Sequence, residues 1–166
     1  KYLTQNPPLS NVPDRQAQDE EKRVFDGLLK QSGTESPAQI RRELRTLMDK
    51  HAGVYRTGQS MQEGLAKIAE LKQRFRQITI QDKSRVYNTN LIQALETENM
   101  LDLAEVLLFA GLTREESRGA HSRTDFPKRN DVNFLAHSMV YYTGGKPRLE
   151  YKPVTITTWK PVERKY

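Results

Sequence analysis

Apolar residues recur at helical spacing in four stretches of this chain, and each stretch predicts a helix. The first pairs Val24 with Leu28 and Phe25 with Leu29 on one face, over about residues 13–30. Pro13 suits the first turn, where its missing N–H goes unused, and Asp14, Asp19, Glu20 and Glu21 lie toward the positive N-terminal end. Gly33 is the expected stop. The second start is a hydroxyl cap at Ser36, a proline at Pro37 and Gln39 three residues after the cap. Ile40, Leu44, Leu47, Met48 and His51 then form one stripe that ends at Gly53.

A third helix is expected to open on the capping-box pattern Ser60-Met61-Gln62-Glu63. It continues through Leu65, Ile68, Leu71 and Phe75 until Ile78-Thr79-Ile80 breaks the period. The fourth begins near Asn88-Thr89-Asn90 and is the most apolar segment, with Leu91, Leu95, Leu101, Val106 and Leu108 on more than one face. It is expected to be a central helix buried by the other three. Arg114, Glu115 and Glu116 are good helix formers, so its end is expected near Gly119 rather than Gly111.

After Pro127 the pattern turns β-prone. Val140-Tyr141-Tyr142 and Arg148-Leu149-Glu150-Tyr151-Lys152 flank Gly144-Gly145, which predicts a hairpin, and Val154–Thr158 could add a strand. The fold class expected is mainly α: an antiparallel up-and-down bundle of three to four helices with a C-terminal β-hairpin extension. Residues 1–12 read as a linker-like lead-in, 13–119 as the bundle, and 120–166 as a loop and hairpin packed on it. Pro7 and Pro8 in the lead-in suggest a domain boundary, and a chain that begins this way is expected to be part of something longer.

Composition narrows the chemistry. The chain has 166 residues and no Cys, which excludes disulfides, thiolate metal sites, iron–sulfur ligation and a Cys nucleophile. No apolar run approaches the ~20 residues of a membrane span, and the first residues lack the apolar core of a signal peptide. The formal net charge is +6. Residues 1–113 contribute +1 of it and residues 114–166 contribute +5. A basic tail can attract a polyanion or an acidic protein, but these charges are interleaved with acids and form no like-charge run. Nucleic acid is therefore not the expected partner, and a basic binding module is the alternative reading.

Neither GxGxxG nor GxxxxGK[ST] occurs, which argues against an autonomous nucleotide site. His51, His121 and His137 are isolated, so no metal site is expected, and His51 on its apolar stripe reads as a core residue. Glu96, Glu98 and Asp102 read as surface charge. The segment from Glu115 to Asp131 is the exception. In extended backbone after Gly119, His121, Arg123 and Asp125 would project to one side. Such a concentration suits docking against another protein surface, contact with a ligand in a neighbouring domain, or, least of all, catalysis of its own.

Ser117-Arg118-Gly119-Ala120-His121-Ser122-Arg123-Thr124-Asp125-Phe126-Pro127, followed by Arg129 and Asp131, resembles the C-terminal signature of succinate dehydrogenase and fumarate reductase flavoprotein subunits. Gly53-Val54-Tyr55-Arg56 and Val86-Tyr87-Asn88-Thr89-Asn90-Leu91 resemble that family's helical C-terminal domain. Asp131-Val132-Asn133-Phe134-Leu135-Ala136-His137-Ser138 and Leu149-Glu150-Tyr151-Lys152-Pro153-Val154 resemble its closing hairpin. L-aspartate oxidase is a relative with a similar Ser-Arg-Gly motif, and the long basic hairpin favours the dehydrogenase/reductase branch.

The resemblance implies a parent subunit that binds FAD and interconverts succinate and fumarate. That parent passes electrons to an iron–sulfur subunit above membrane anchor subunits, on the cytoplasmic side of the cell membrane. The flavin motif and the substrate-binding His and Arg of the family lie upstream of this domain, and no position here matches them. The fragment is thus expected to hold no catalytic residue, cofactor or metal of its own. Arg118, His121, Arg123, Asp125 and Arg129 carry over only as signature residues, expected against the flavin-binding domain of the same polypeptide.

Overall fold

The computed structural model describes residues 13–162, so the lead-in expected over residues 1–12 lies outside the described residues. Among these residues α1 spans Asp14–Lys22 and continues through a wider π-helical stretch, Arg23–Leu28, in which the Leu29 N–H donates to the Val24 carbonyl five residues back. No residue of Asp14–Lys22 is buried. The segment is fastened by Arg23–Glu98 and Arg85–Glu21 ion pairs and by the Arg85 guanidinium 4.2 Å over the Phe25 ring. The bundle proper is α2 (Pro37–His51), α3 (Gly58–Phe75) and α4 (Thr89–Thr113).

Polar contacts fix the helix directions. His51 at the end of α2 meets Ser60 at the start of α3, while Arg74 at the end of α3 pairs with Glu35 and Glu43 near the start of α2. Lys72 of α3 pairs with Asp102 and Glu105 of α4, and Arg41 of α2 with Glu96. The order is up, down, up, as short connections require. Ile40, Leu44, Ile68, Leu71, Leu101 and Leu108 fill the space between the three helices. The interface is tight enough to need a glycine: a Cβ on Gly64 would lie 2.7 Å from Leu108 and 2.9 Å from His51. Gly33 is tighter still, since its Cβ would sit 1.7 Å from the Gln77 carbonyl oxygen, where the linker after α1 bonds alongside Ile78 and Thr79.

Several expectations move in detail. Ser36 does cap α2, its hydroxyl accepting from the Gln39 N–H, but the Gln39 side chain bonds Glu43 rather than closing a box. α3 is capped by Thr57, whose Oγ1 accepts from the Ser60 N–H, because the Ser60 hydroxyl is taken by the buried His51. α4 is not enclosed by all its neighbours, for Ile92, Leu103 and Leu107 remain exposed. Nor does α4 reach Gly119. It ends at Thr113, with Arg114 in extended backbone, because the fully buried Glu116 is drawn into an ion network that a continuing helix could not form.

Two small ribbons complete the fold. β1 (Tyr55–Arg56) pairs in parallel with β2 (Ser122–Arg123), tying the α2–α3 connection to the signature loop. After the short α5 (Asp131–Phe134), β3 (Ala136–Tyr141) and β4 (Arg148–Pro153) form the expected antiparallel hairpin. Residues 154–158 add no strand; just beyond Pro153 the Val154 N–H donates to the Leu135 carbonyl. No helix among the described residues is long and apolar enough to cross a membrane.

Candidate functional site

The signature loop folds around two buried charges. The first is Glu116, with no exposed surface. Its Oε1 accepts from Arg114 Nε at 2.9 Å and Arg118 Nε at 2.8 Å; its Oε2 accepts from Arg118 Nη2 at 3.0 Å and the Asn130 N–H at 2.7 Å. Burial pushes this carboxyl up, but the Arg118, Asn130 and Arg114 bonds together outweigh it and hold it below the ordinary value. Arg118 also reaches Asp131 at 2.6 Å, and Arg129 bonds the other Asp131 oxygen at 2.8 Å and the Val162 carbonyl. Arg114 uses its remaining nitrogens on the Phe134 and Ala136 carbonyls and the Ser138 hydroxyl, anchoring the hairpin.

The second buried charge is Arg123, 2% exposed. Its Nε and Nη2 each lie 2.7 Å from one oxygen of Asp125, a bidentate pair. Its Nη1 donates to the carbonyls of Gly111 and Leu112 at the end of α4, at 3.1 and 3.0 Å. Asp125 in turn accepts from the Gly58 N–H at 2.8 Å, at the start of α3. One ion pair thus places a cation on the negative end of one helix and an anion on the positive end of the next. The Arg123 guanidinium, followed by the Gly58 N–H, holds the Asp125 carboxyl well below the usual carboxylate range.

His121 joins the two clusters. Its Nε2–H donates to the Arg114 carbonyl at 3.1 Å, and its Nδ1 accepts from Arg56 Nη1 at 3.3 Å, since a guanidinium can only donate. Burial above all, then the nearby Arg56, Arg123 and Arg114 charges, pulls the imidazole pKa down and favours the neutral ring. Gly119 takes φ +59° to close the turn in which the Arg118 and His121 backbones bond each other.

All five residues singled out from the sequence therefore lie in this network; the extended backbone expected to align His121, Arg123 and Asp125 stops at Arg123, and a turn closed by the Phe126 N–H to the Arg123 carbonyl brings Asp125 onto Arg123 instead. Sequence reasoning missed Arg114 and Glu116, read as helix, and Arg56, quoted only as part of a motif. The short-range signal was there for Glu116: an acid flanked by arginines two residues away on either side. Among the described residues every buried side-chain polar atom has a hydrogen-bond partner. The arginine-rich stretch clamps helix ends and hairpin together through these ion pairs and hydrogen bonds.

The glycines at positive φ, Gly119 and Gly144, sit in a tight turn and a hairpin loop rather than at the start of a helix. Part of the tail's basicity is internal, since Arg114, Arg118, Arg123 and Arg129 all face carboxylates.

The architecture is a helical bundle whose helix ends are locked together by a charged loop. Comparison with known proteins gives the family. The model of the fumarate reductase flavoprotein C-terminal domain matches residues 41–166, and the chain belongs to that family. It is 44% identical over its whole length to the fumarate reductase flavoprotein subunit of a Serratia species, covering 28% of that protein. It is 41% identical to the succinate dehydrogenase flavoprotein subunit of Rickettsia bellii, over 81% of this chain and 23% of that one. A solved chain of Escherichia coli quinol fumarate reductase superposes with a TM-score of 0.87 at 38% identity, over 97% of this chain and 28% of the other. The chain thus spans about a quarter of the length of these relatives.

Proposed function

We propose that this chain is the supporting C-terminal domain of a flavoprotein subunit that interconverts succinate and fumarate. The rest of that subunit holds FAD and the reacting groups, and passes electrons to an iron–sulfur subunit. Membrane anchor subunits place the assembly at the cytoplasmic face of the cell membrane. Residues 13–119 form the supporting bundle, and 120–166 the loop and hairpin that join it to the flavin-binding domain. Arg118, His121, Arg123, Asp125 and Arg129 hold the docking face in shape through the contacts above, and none acts on substrate.

The observation that carries this reading is the signature loop, in which each charged group of the motif is engaged in fastening helix ends and hairpin. The relatives' names, fumarate reductase and succinate dehydrogenase flavoprotein subunits, support the activity of the whole. The test compares the full subunit with this 166-residue chain, each given FAD, succinate and an artificial electron acceptor. The full subunit is expected to retain flavin and reduce the acceptor, and the isolated chain to do neither. Flavin retention or turnover by the isolated chain would overturn the assignment. The basic-module alternative predicts oligonucleotide binding that falls steeply with salt, which a filter-binding series measures directly.

A further inference from the structure

One guanidinium at the clamped end of the bundle lacks a counter-charge. Arg56 is half-buried; its Nε donates to the Gly53 carbonyl at 2.8 Å and its Nη1 to His121. Its Nη2 makes no bond, and no carboxylate pairs with it among the described residues, whereas Arg114, Arg118, Arg123 and Arg129 each have one. A partly desolvated cation without an anion is costly in a finished structure. Beside it Val54 and Tyr55 are bare, at 68% and 76% exposure. β1, which carries Tyr55 and Arg56, is paired on one edge alone. An incomplete charge, an apolar flank and an open strand edge coincide at one place.

We propose that Arg56 is the receptor for an aspartate or glutamate side chain from the flavin-binding part of the same polypeptide. The assignment rests on the reading of this chain as a flavoprotein C-terminal domain. His121 acts behind it as a positioning residue: the neutral imidazole accepts from Nη1 and fixes the guanidinium plane, leaving Nη2 directed to the incoming carboxylate. The occupant is the same chain because the family's members are several times longer than this domain. A tethered partner also meets this face at an effective concentration no free protein matches. Its anion is a carboxylate because that is the anionic group a polypeptide supplies.

The test uses the full-length flavoprotein with Arg56→Lys, treated with a water-soluble carbodiimide and mapped by mass spectrometry. The introduced amine and an activated carboxylate condense to an amide with loss of one water. The expected product links the peptide containing position 56 to an acidic peptide upstream of this domain. Links confined to carboxylates of this domain, links to another subunit, or no link in a folded variant overturn the proposal. Should Arg56→Lys fail to fold, arginine-selective dicarbonyl labelling of the wild-type full chain decides. Arg56 is expected unlabelled while the exposed Arg15 and Arg45 are labelled, and labelling of Arg56 overturns the proposal. Loss of flavin and turnover in the full subunit itself would instead fault the parent assignment, so the two failures are separable.

Discussion

Glu116→Gln is the sharpest perturbation of the clamp because it removes one charge and almost no volume. The wild-type carboxylate accepts two donors at each oxygen: Arg114 and Arg118 at Oε1, Arg118 and the Asn130 N–H at Oε2. An amide keeps one accepting oxygen and turns the other into an NH2 donor. Either orientation therefore leaves two donors facing a third, in a site with no exposed surface. Breaking a buried pair from one side costs about 3–5 kcal/mol. The low end of that range applies, since Arg118 keeps Asp131 and Arg114 keeps its carbonyl partners. For a chain of this size about 3 kcal/mol corresponds to a fall in Tm of roughly 6–12 °C. Urea unfolding followed by circular dichroism measures it, with an unchanged m-value as the sign that the native state is otherwise intact. A loss below about 1 kcal/mol, the range of an exposed pair, would refute the buried-anchor reasoning.

Three further outcomes are expected. Asp125→Asn and Arg123→Lys should each destabilise the chain, and a double-mutant cycle should show coupling above about 1 kcal/mol, because both side chains serve one bidentate pair joining α4 to α3. His121 has a folded pKa below its ordinary 6.5, so its contribution is intact above pH 6.5 and falls as acidification forces the ring to charge. The slope of stability against pH just below 6.5 should flatten in His121→Gln. Gly33→Ala should lower stability by about 2 kcal/mol or more, because the new methyl meets the Gln77 backbone rather than a movable side chain. Thermal denaturation reports it, and a neutral result would contradict the packing described there.

The helices were legible because their stripes have a period that leaves little alternative: Ile40, Leu44 and Leu47 face inward in α2, and Met61, Ile68, Leu71 and Phe75 in α3. Their edges were less so. Thr57 and Ser60 are both competent caps, and only the distant His51 decides which hydroxyl is free to serve. Arg114-Glu115-Glu116 has helical propensity, yet a partner fourteen residues on, the Asn130 N–H, helps draw Glu116 out of the helix. The loop behaved likewise. The stretch was singled out for its charges, but the turn that brings Asp125 onto Arg123, and the Gly58 N–H and α4 carbonyls that complete the clamp, follow from no local pattern. Arg56 was hidden for the opposite reason, since what distinguishes it is that no carboxylate among the described residues pairs with it.

Hydrogen–deuterium exchange puts the supporting role to the most direct test. The full-length flavoprotein and the 166-residue chain are labelled side by side, and amides 53–57 and 117–131 are followed. A domain that docks through its charged loop predicts markedly slower exchange of both segments in the full-length protein, with the α3 core amides alike in the two. Equal exchange of those segments in both proteins would contradict it.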